Sequence, residues 1–140
     1  MLRVLLTRHG QSAWNAEGRW QGQADPPLSE LGRTQARAAG TLVGAFDAVI
    51  ASDLDRACTT AQIIAEDAGI GPVLVDPRLR ERNAGEFQGL TRPEIEERFP
   101  GYLASETWPP SWEPDASLLG RALEALDAIV EQVGTGEVLV

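Results

Sequence analysis

The chain has 140 residues, 43% hydrophobic and 24% charged, enough for one compact core that buries roughly two-thirds of the surface its unfolded form exposes. With 21 acids against 12 bases its net charge is -9, which disfavours nucleic acid and anionic membranes as partners. No apolar run approaches the ~18 residues that cross a bilayer and the opening residues are too short for a secretory signal, so a cytoplasmic protein is expected.

In chain order, Arg3 to Thr7 reads as a strand buried on both faces, because Val4, Leu5 and Leu6 are consecutively apolar. Ser29 is suited to cap a helix running to about Gly44, with Leu31, Ala38, Leu42 and Val43 near helical spacing. Ala48 to Ala51 is a second buried strand. Asp53 is the expected cap of a second helix, in which Leu54, Ala57, Ala61, Ile64, Ala65 and Ala68 form one apolar face and Gly69 ends the run. The single cysteine, Cys58, cannot form an internal disulfide and is expected there as a small buried hydrophobe.

Val73 to Val75 forms a third strand, and Thr91 with Glu94 has capping-box spacing for a short helix to about Phe99. Residues 100–114 carry four prolines, two tryptophans and a tyrosine, which predicts an ordered loop. From Asp115, the residues Leu119, Ala122, Leu123, Leu126, Val130 and Val133 mark the longest amphipathic helix, stopped by Gly134. Glu137 to Val140 opens a further strand. This alternation predicts a single α/β domain over residues 1–140, with a mostly parallel sheet and right-handed crossovers.

Ligands of such sheets bind beyond the carboxyl ends of the strands. The segments falling there are Arg8-His9-Gly10, Ser52 to Arg56, and Arg78 to Glu81. His9 is the only histidine. A lone histidine is more often structural than catalytic, but these neighbours supply what phosphoryl transfer needs. A neutral imidazole nitrogen can attack phosphorus, Arg8 and Arg56 can fork onto the equatorial oxygens, and Glu81 can move the proton. The competing structural role for Glu81 is a surface ion pair with Arg80 or Arg82.

The run Leu6-Thr7-Arg8-His9-Gly10-Gln11-Ser12-Ala13-Trp14-Asn15 resembles the RHG signature of the histidine phosphatase, or phosphoglycerate-mutase-like, superfamily. Gln21-Gly22, Pro27-Leu28-Ser29 with Leu31-Gly32, Ser52-Asp53-Leu54 with Arg56-Ala57 and Thr60-Ala61, and Leu79-Arg80-Glu81 with Gly85 and Gly89 follow in family order. The resemblance implies a three-layer sandwich with a mostly parallel central sheet flanked by helices. It implies His9 as the phosphorylated nucleophile, Arg8 and Arg56 as the phosphate clamp, and Glu81 as proton donor and acceptor. Asn15, Gln21 and Gly22 match substrate-binding positions, while Trp14 and Trp20 wall the pocket or pack locally. No metal and no cofactor are implied, and the partner is a small phosphorylated substrate.

One departure from the family pattern is a second histidine after a late strand, which this sequence lacks. Glu137 to Val140 resembles the strand leading into it, so the C-terminal part of the domain is expected to be missing. Loss of such a donor costs ~10²- to 10³-fold in rate, and the edges left open allow a homodimer.

Phosphomonoester hydrolysis is the expected function, because the stretch after Glu81 is too short for the insertion typical of cofactor-dependent mutases and Gly85 to Gly89 resembles the phosphatase-type branch. The alternatives are mutase-type transfer to a phosphoglycerate and a non-catalytic phosphate-binding protein. Tyr102 to Pro114, with Trp108 and Trp112, is either a lid over the leaving group or a packed structural loop.

Overall fold

The computed structural model describes residues 1–140. Strands β1 (Leu2–Leu5), β2 (Ala48–Ala51), β3 (Leu74–Val75) and β4 (Gly136–Leu139) form one parallel sheet in the order β1-β4-β2-β3. Val138 of β4 lies opposite both Val4 of β1 and Ala48 of β2, so the last strand is central although it closes the sequence. The helices are α1 (Ala13–Glu17), α2 (Glu30–Leu42), α3 (Asp55–Ala68), α4 (Arg92–Arg98) and α5 (Asp115–Val133).

Side-chain alternation along the central strands builds two layers around the sheet. Val49 and Ala51 of β2 and Leu139 of β4 pack on Ala61, Ile64 and Ala65 of α3, with Ala39 and Val43 of the α2 segment beside them. The intervening Ile50 and Val138 point the other way, onto Ile129 of α5. Val49, Ile64 and Leu139 are at most 1% exposed, and burying such side chains contributes about 1.5–3 kcal/mol each. The expected three-layer α/β arrangement is therefore present.

Strand β1 departs from the expectation of burial on both faces: it is an edge strand, paired only to β4, and Leu5 is 46% exposed. The helix α3 also starts differently. Leu54 occupies its cap position without a side-chain bond, because Asp53 is drawn into an ion pair with Arg80. Asp25 substitutes from outside the helix, its Oδ1 accepting the Asp55 N–H at 2.7 Å. Cys58 is half-buried rather than buried, and burial together with Asp55 and Asp53 raises its thiol pKa.

The caps at Ser29 and Thr91 form as expected, Ser29 Oγ accepting the Gly32 N–H at 3.1 Å and Thr91 sharing a reciprocal box with Glu94. Strand β3 is a residue shorter than expected, since Val73 packs against the α2–α3 cluster instead of pairing. Three short elements were not foreseen: α1, and the 3₁₀ turns Pro77–Leu79 and Gly85–Phe87. No helix is long and apolar enough to cross a membrane.

A second apolar cluster lies beyond the sheet, with Phe87 and Ile95 fully buried between Trp20, Phe99, Tyr102 and Trp112. Its backbone is tied to the segment after α1, Trp20 donating to Leu90 O at 2.9 Å and accepting from the Gly89 N–H at 2.8 Å. The aromatic part of residues 100–114 is thus a packed wall, and it forms one side of a cleft.

Candidate active site

His9 leaves the carboxyl end of β1 in a loop that three contacts fix. Thr60 of α3 donates its hydroxyl hydrogen to Arg56 O at 2.7 Å and accepts the Gly10 N–H at 3.1 Å. Gln35 of α2 accepts the Gln11 N–H at 2.8 Å. Gly10 and Gly32 let this loop and the start of α2 touch backbone to backbone, since a Cβ on Gly10 would lie 2.9 Å from the carbonyl carbon of Gly32.

The His9 imidazole is half-buried, with Nδ1 at 2.6 Å from Gly10 O. A carbonyl only accepts, so Nδ1 carries the hydrogen and Nε2 keeps its lone pair. Arg56 Nε donates to that Nε2 at 3.3 Å. Burial lowers the His9 pKa below the ordinary 6.5, opposed by the Gly10 carbonyl and Glu81 and assisted by Arg56 and Arg8. The ring is held neutral, in the tautomer a nucleophile needs.

Arg56 is 1% exposed, and its other nitrogens donate to Ala24 O at 2.8 Å and Gly22 O at 2.7 Å. Burial pushes its pKa down, while Asp25 and Glu81 oppose that. A guanidinium remains charged at such a site, so a fixed cation stands beside the imidazole. Arg8 is exposed, and its guanidinium makes no hydrogen bond or ion pair within the chain. Glu81 is exposed too, with Oε1 accepting the Arg82 N–H at 2.8 Å. The alternative ion pair of Glu81 with Arg80 or Arg82 does not form, those arginines turning instead to Asp53 and Asp115.

These groups meet in two connected openings. A cleft of about 240 Å³ is lined by Arg8, His9, Gln21, Gly22, Glu81 and Trp112, among others. A larger cavity of about 540 Å³ shares Arg8, His9 and Glu81, adds Arg56, and continues to Leu139 and Val140. Gln21 accepts the Ser12 hydroxyl through Oε1. Gly22 takes a positive φ of 53°, aiming its carbonyl at Arg56. Asn15 lines neither opening. It closes the capping box of α1, its Oδ1 accepting the Ser12 N–H at 3.1 Å. Trp112 faces the cleft, and Trp108 stacks behind it at 4.3 Å and 11°. No three His, Cys, Asp or Glu side chains converge as metal ligands.

Sequence reasoning missed Thr60 as the latch of the His9 loop, Asp25 as the cap of α3, and Glu113 with Arg121 behind Glu81. All act on backbone atoms, and although Thr60 stands among the family motif residues, nothing in the motif gives it this role. One signal existed: Arg121 is the only basic residue of α5, among Asp115, Glu124, Asp127 and Glu131.

The model of the histidine phosphatase superfamily (branch 1) matches residues 4–140, and the chain belongs to that family. A glucosyl-3-phosphoglycerate phosphatase of Mycobacterium tuberculosis is 43% identical over 114 residues, covering 80% of this chain and 51% of the relative. A 2,3-bisphosphoglycerate-dependent phosphoglycerate mutase 2 of Gloeobacter violaceus is 38% identical over 144 residues, covering 95% of this chain and 64% of the relative. The chain thus spans half to two-thirds of the length of these curated relatives. Among solved structures, a mycobacterial glucosyl-3-phosphoglycerate phosphatase in complex with VO3 superposes with a TM-score of 0.86 at 37% identity, over 96% of this chain and 72% of the other.

Proposed function

We propose that this site hydrolyses a small phosphomonoester through a covalent phosphohistidine on His9. The observation that carries the reading is the His9 ring itself: Nδ1 is committed to Gly10 O, and the lone pair of Nε2, held only by the long Arg56 Nε contact of 3.3 Å, faces the mouth shared with Arg8 and Glu81. Arg56 is already held by Gly22 and Ala24, so its charge stands in place beside Nε2, and its Nε turns from the imidazole to a phosphate oxygen as the substrate enters. Arg8, free of internal partners, closes the clamp from the exposed side.

Nε2 attacks phosphorus as the ester P–O bond breaks, and the protonated Glu81 carboxyl gives its proton to the leaving alcohol. Water then attacks the phosphohistidine, Glu81 takes a proton from it, the N–P bond breaks and inorganic phosphate leaves. Gln21, with Oε1 engaged by Ser12, offers its amide N–H groups to substrate oxygens. Gly22 and Asn15 act one step back, through Arg56 and through the cap of α1. The relatives' names make a glucosyl phosphoglycerate the first ester to try, and the charge of -9 argues against a nucleic-acid substrate.

Turnover in heavy-oxygen water tests hydrolysis directly. Phosphate carrying one heavy oxygen, and none from a His9→Ala variant, is the expected result. Transfer of the phosphoryl group to added phosphoglycerate without phosphate release would replace hydrolysis by the mutase reaction.

A further inference from the structure

Glu81 rides on a stretch that has no helix or strand of its own beyond the turn Pro77–Leu79. Its backbone is fastened instead by side chains from outside the stretch: Arg121 of α5, Glu113 just before that helix, and Gln23, whose Nε2 donates to Glu81 O at 3.1 Å. Arg121 Nη1 donates to Arg78 O at 2.7 Å and to Arg80 O at 2.5 Å, and Nη2 donates to Glu81 O at 3.1 Å. The remaining N–H groups, on Nε and Nη2, fork onto the Glu113 carboxylate at 2.6 and 2.8 Å. All five N–H bonds of the guanidinium are therefore engaged.

Glu113 secures the other flank. Its Oε2 accepts the Asn83 N–H at 3.0 Å, its own N–H donates to Asn83 O at 2.9 Å, and its carbonyl accepts from Arg82 Nη1 at 2.6 Å. The Arg121 and Glu113 side chains are only 18% and 13% exposed. Arg121, foremost among its neighbours, holds the Glu113 carboxyl below its ordinary range, so the pair is charged. A buried ion pair adds little stability over an apolar pair of equal volume. The donors here are spent on the carbonyls that precede and include Glu81, which is what fixing a side chain's position requires.

We propose that Glu113 and Arg121 are positioning residues for Glu81, holding its carboxyl where it can protonate the leaving group beside His9. The assignment rests on Glu81 being the proton donor of the proposed hydrolysis. Leaving-group dependence separates this role from simple support of the fold. An alkyl ester such as glycerol phosphate needs a proton on departure, whereas dinitrophenyl phosphate does not.

The experiment measures kcat/KM for both esters with the wild type, Arg121→Met, Arg121→Lys, Glu81→Gln and Arg121→Lys/Glu81→Gln. Lysine keeps the charge and an ion pair with Glu113 but cannot serve the carboxylate and three carbonyls together. Both Arg121 variants are expected to lose about 10²-fold on glycerol phosphate, with dinitrophenyl phosphate nearly unchanged. In the Glu81→Gln background Arg121→Lys should cost nothing further.

Equal losses on the two esters, no loss, or a full further loss in the Glu81→Gln background would reduce the pair to a structural one and overturn the proposal. So would failure of Arg121→Lys to fold, read by circular dichroism. If Glu81→Gln itself leaves the ratio of the two esters unchanged, the proton-donor role of Glu81 is what fails, and the positioning role falls with it. A folded wild type inert to both esters would remove the proposed hydrolysis itself.

Discussion

His9 differs from a free imidazole chiefly by its burial and the Gly10 carbonyl, with Arg56, Arg8 and Glu81 charged beside it. Gly10 O fixes the hydrogen on Nδ1, and burial lowers the pKa below 6.5. Phosphorylation by an activated donor should therefore fall to half its rate only at a pH below 6.5; a rate already halved at 6.5 would contradict a buried, neutral ring. Stability follows the same sign. The unfolded chain takes up the proton first as the pH falls below 6.5, so this residue's contribution declines there, and urea unfolding of His9→Gln should lack that part of the pH dependence. Thr60 gives a second residue-scale prediction. Thr60→Val keeps the shape but leaves the buried Gly10 N–H unpaired, which costs about 1–3 kcal/mol in urea denaturation.

Among the elements, the contact of the His9 loop with α2 is the most demanding. A Cβ on Gly32 would lie 2.8 Å from the Gln11 nitrogen, and backbone cannot move aside as a side chain can. Gly32→Ala is thus expected to lower Tm and to reduce labelling of His9 together, because the same displacement moves both. An unchanged Tm would mean the contact is looser than the geometry requires. Most elements were legible: Ser29 and Thr91 announced α2 and α4, and apolar runs announced the strands. Helix α1 escaped because its box partner is Asn15, where the recognised pattern has Glu or Gln. The 3₁₀ turns are too short to show a period. The start of α3 was misread because Asp53 has two possible roles, and Arg80, 27 residues away, decides between them.

For the molecule as a whole, parallel α/β architecture was readable from the alternation of strands and helices, but strand order was not. Nothing in Glu137-Val138-Leu139 indicates that it inserts between β1 and β2, since parallel strands buried on both faces carry the same apolar pattern whatever their neighbours. The convergence of His9, Arg56 and Glu81 was legible for a topological reason: each follows a strand of one parallel sheet, and all such ends lie on one side. The supports of those residues were not legible, because Thr60, Asp25, Glu113 and Arg121 hold backbone atoms whose positions exist only after folding.

The most direct measurement of the central claim is to incubate the folded protein with dinitrophenyl phosphate, quench it in base, and locate any phosphoryl group by mass spectrometry. The geometry predicts an acid-labile, base-stable phosphate on His9 and none on a His9→Ala variant. A folded wild-type chain that stays unmodified, or a label that persists in His9→Ala, would contradict a nucleophilic His9.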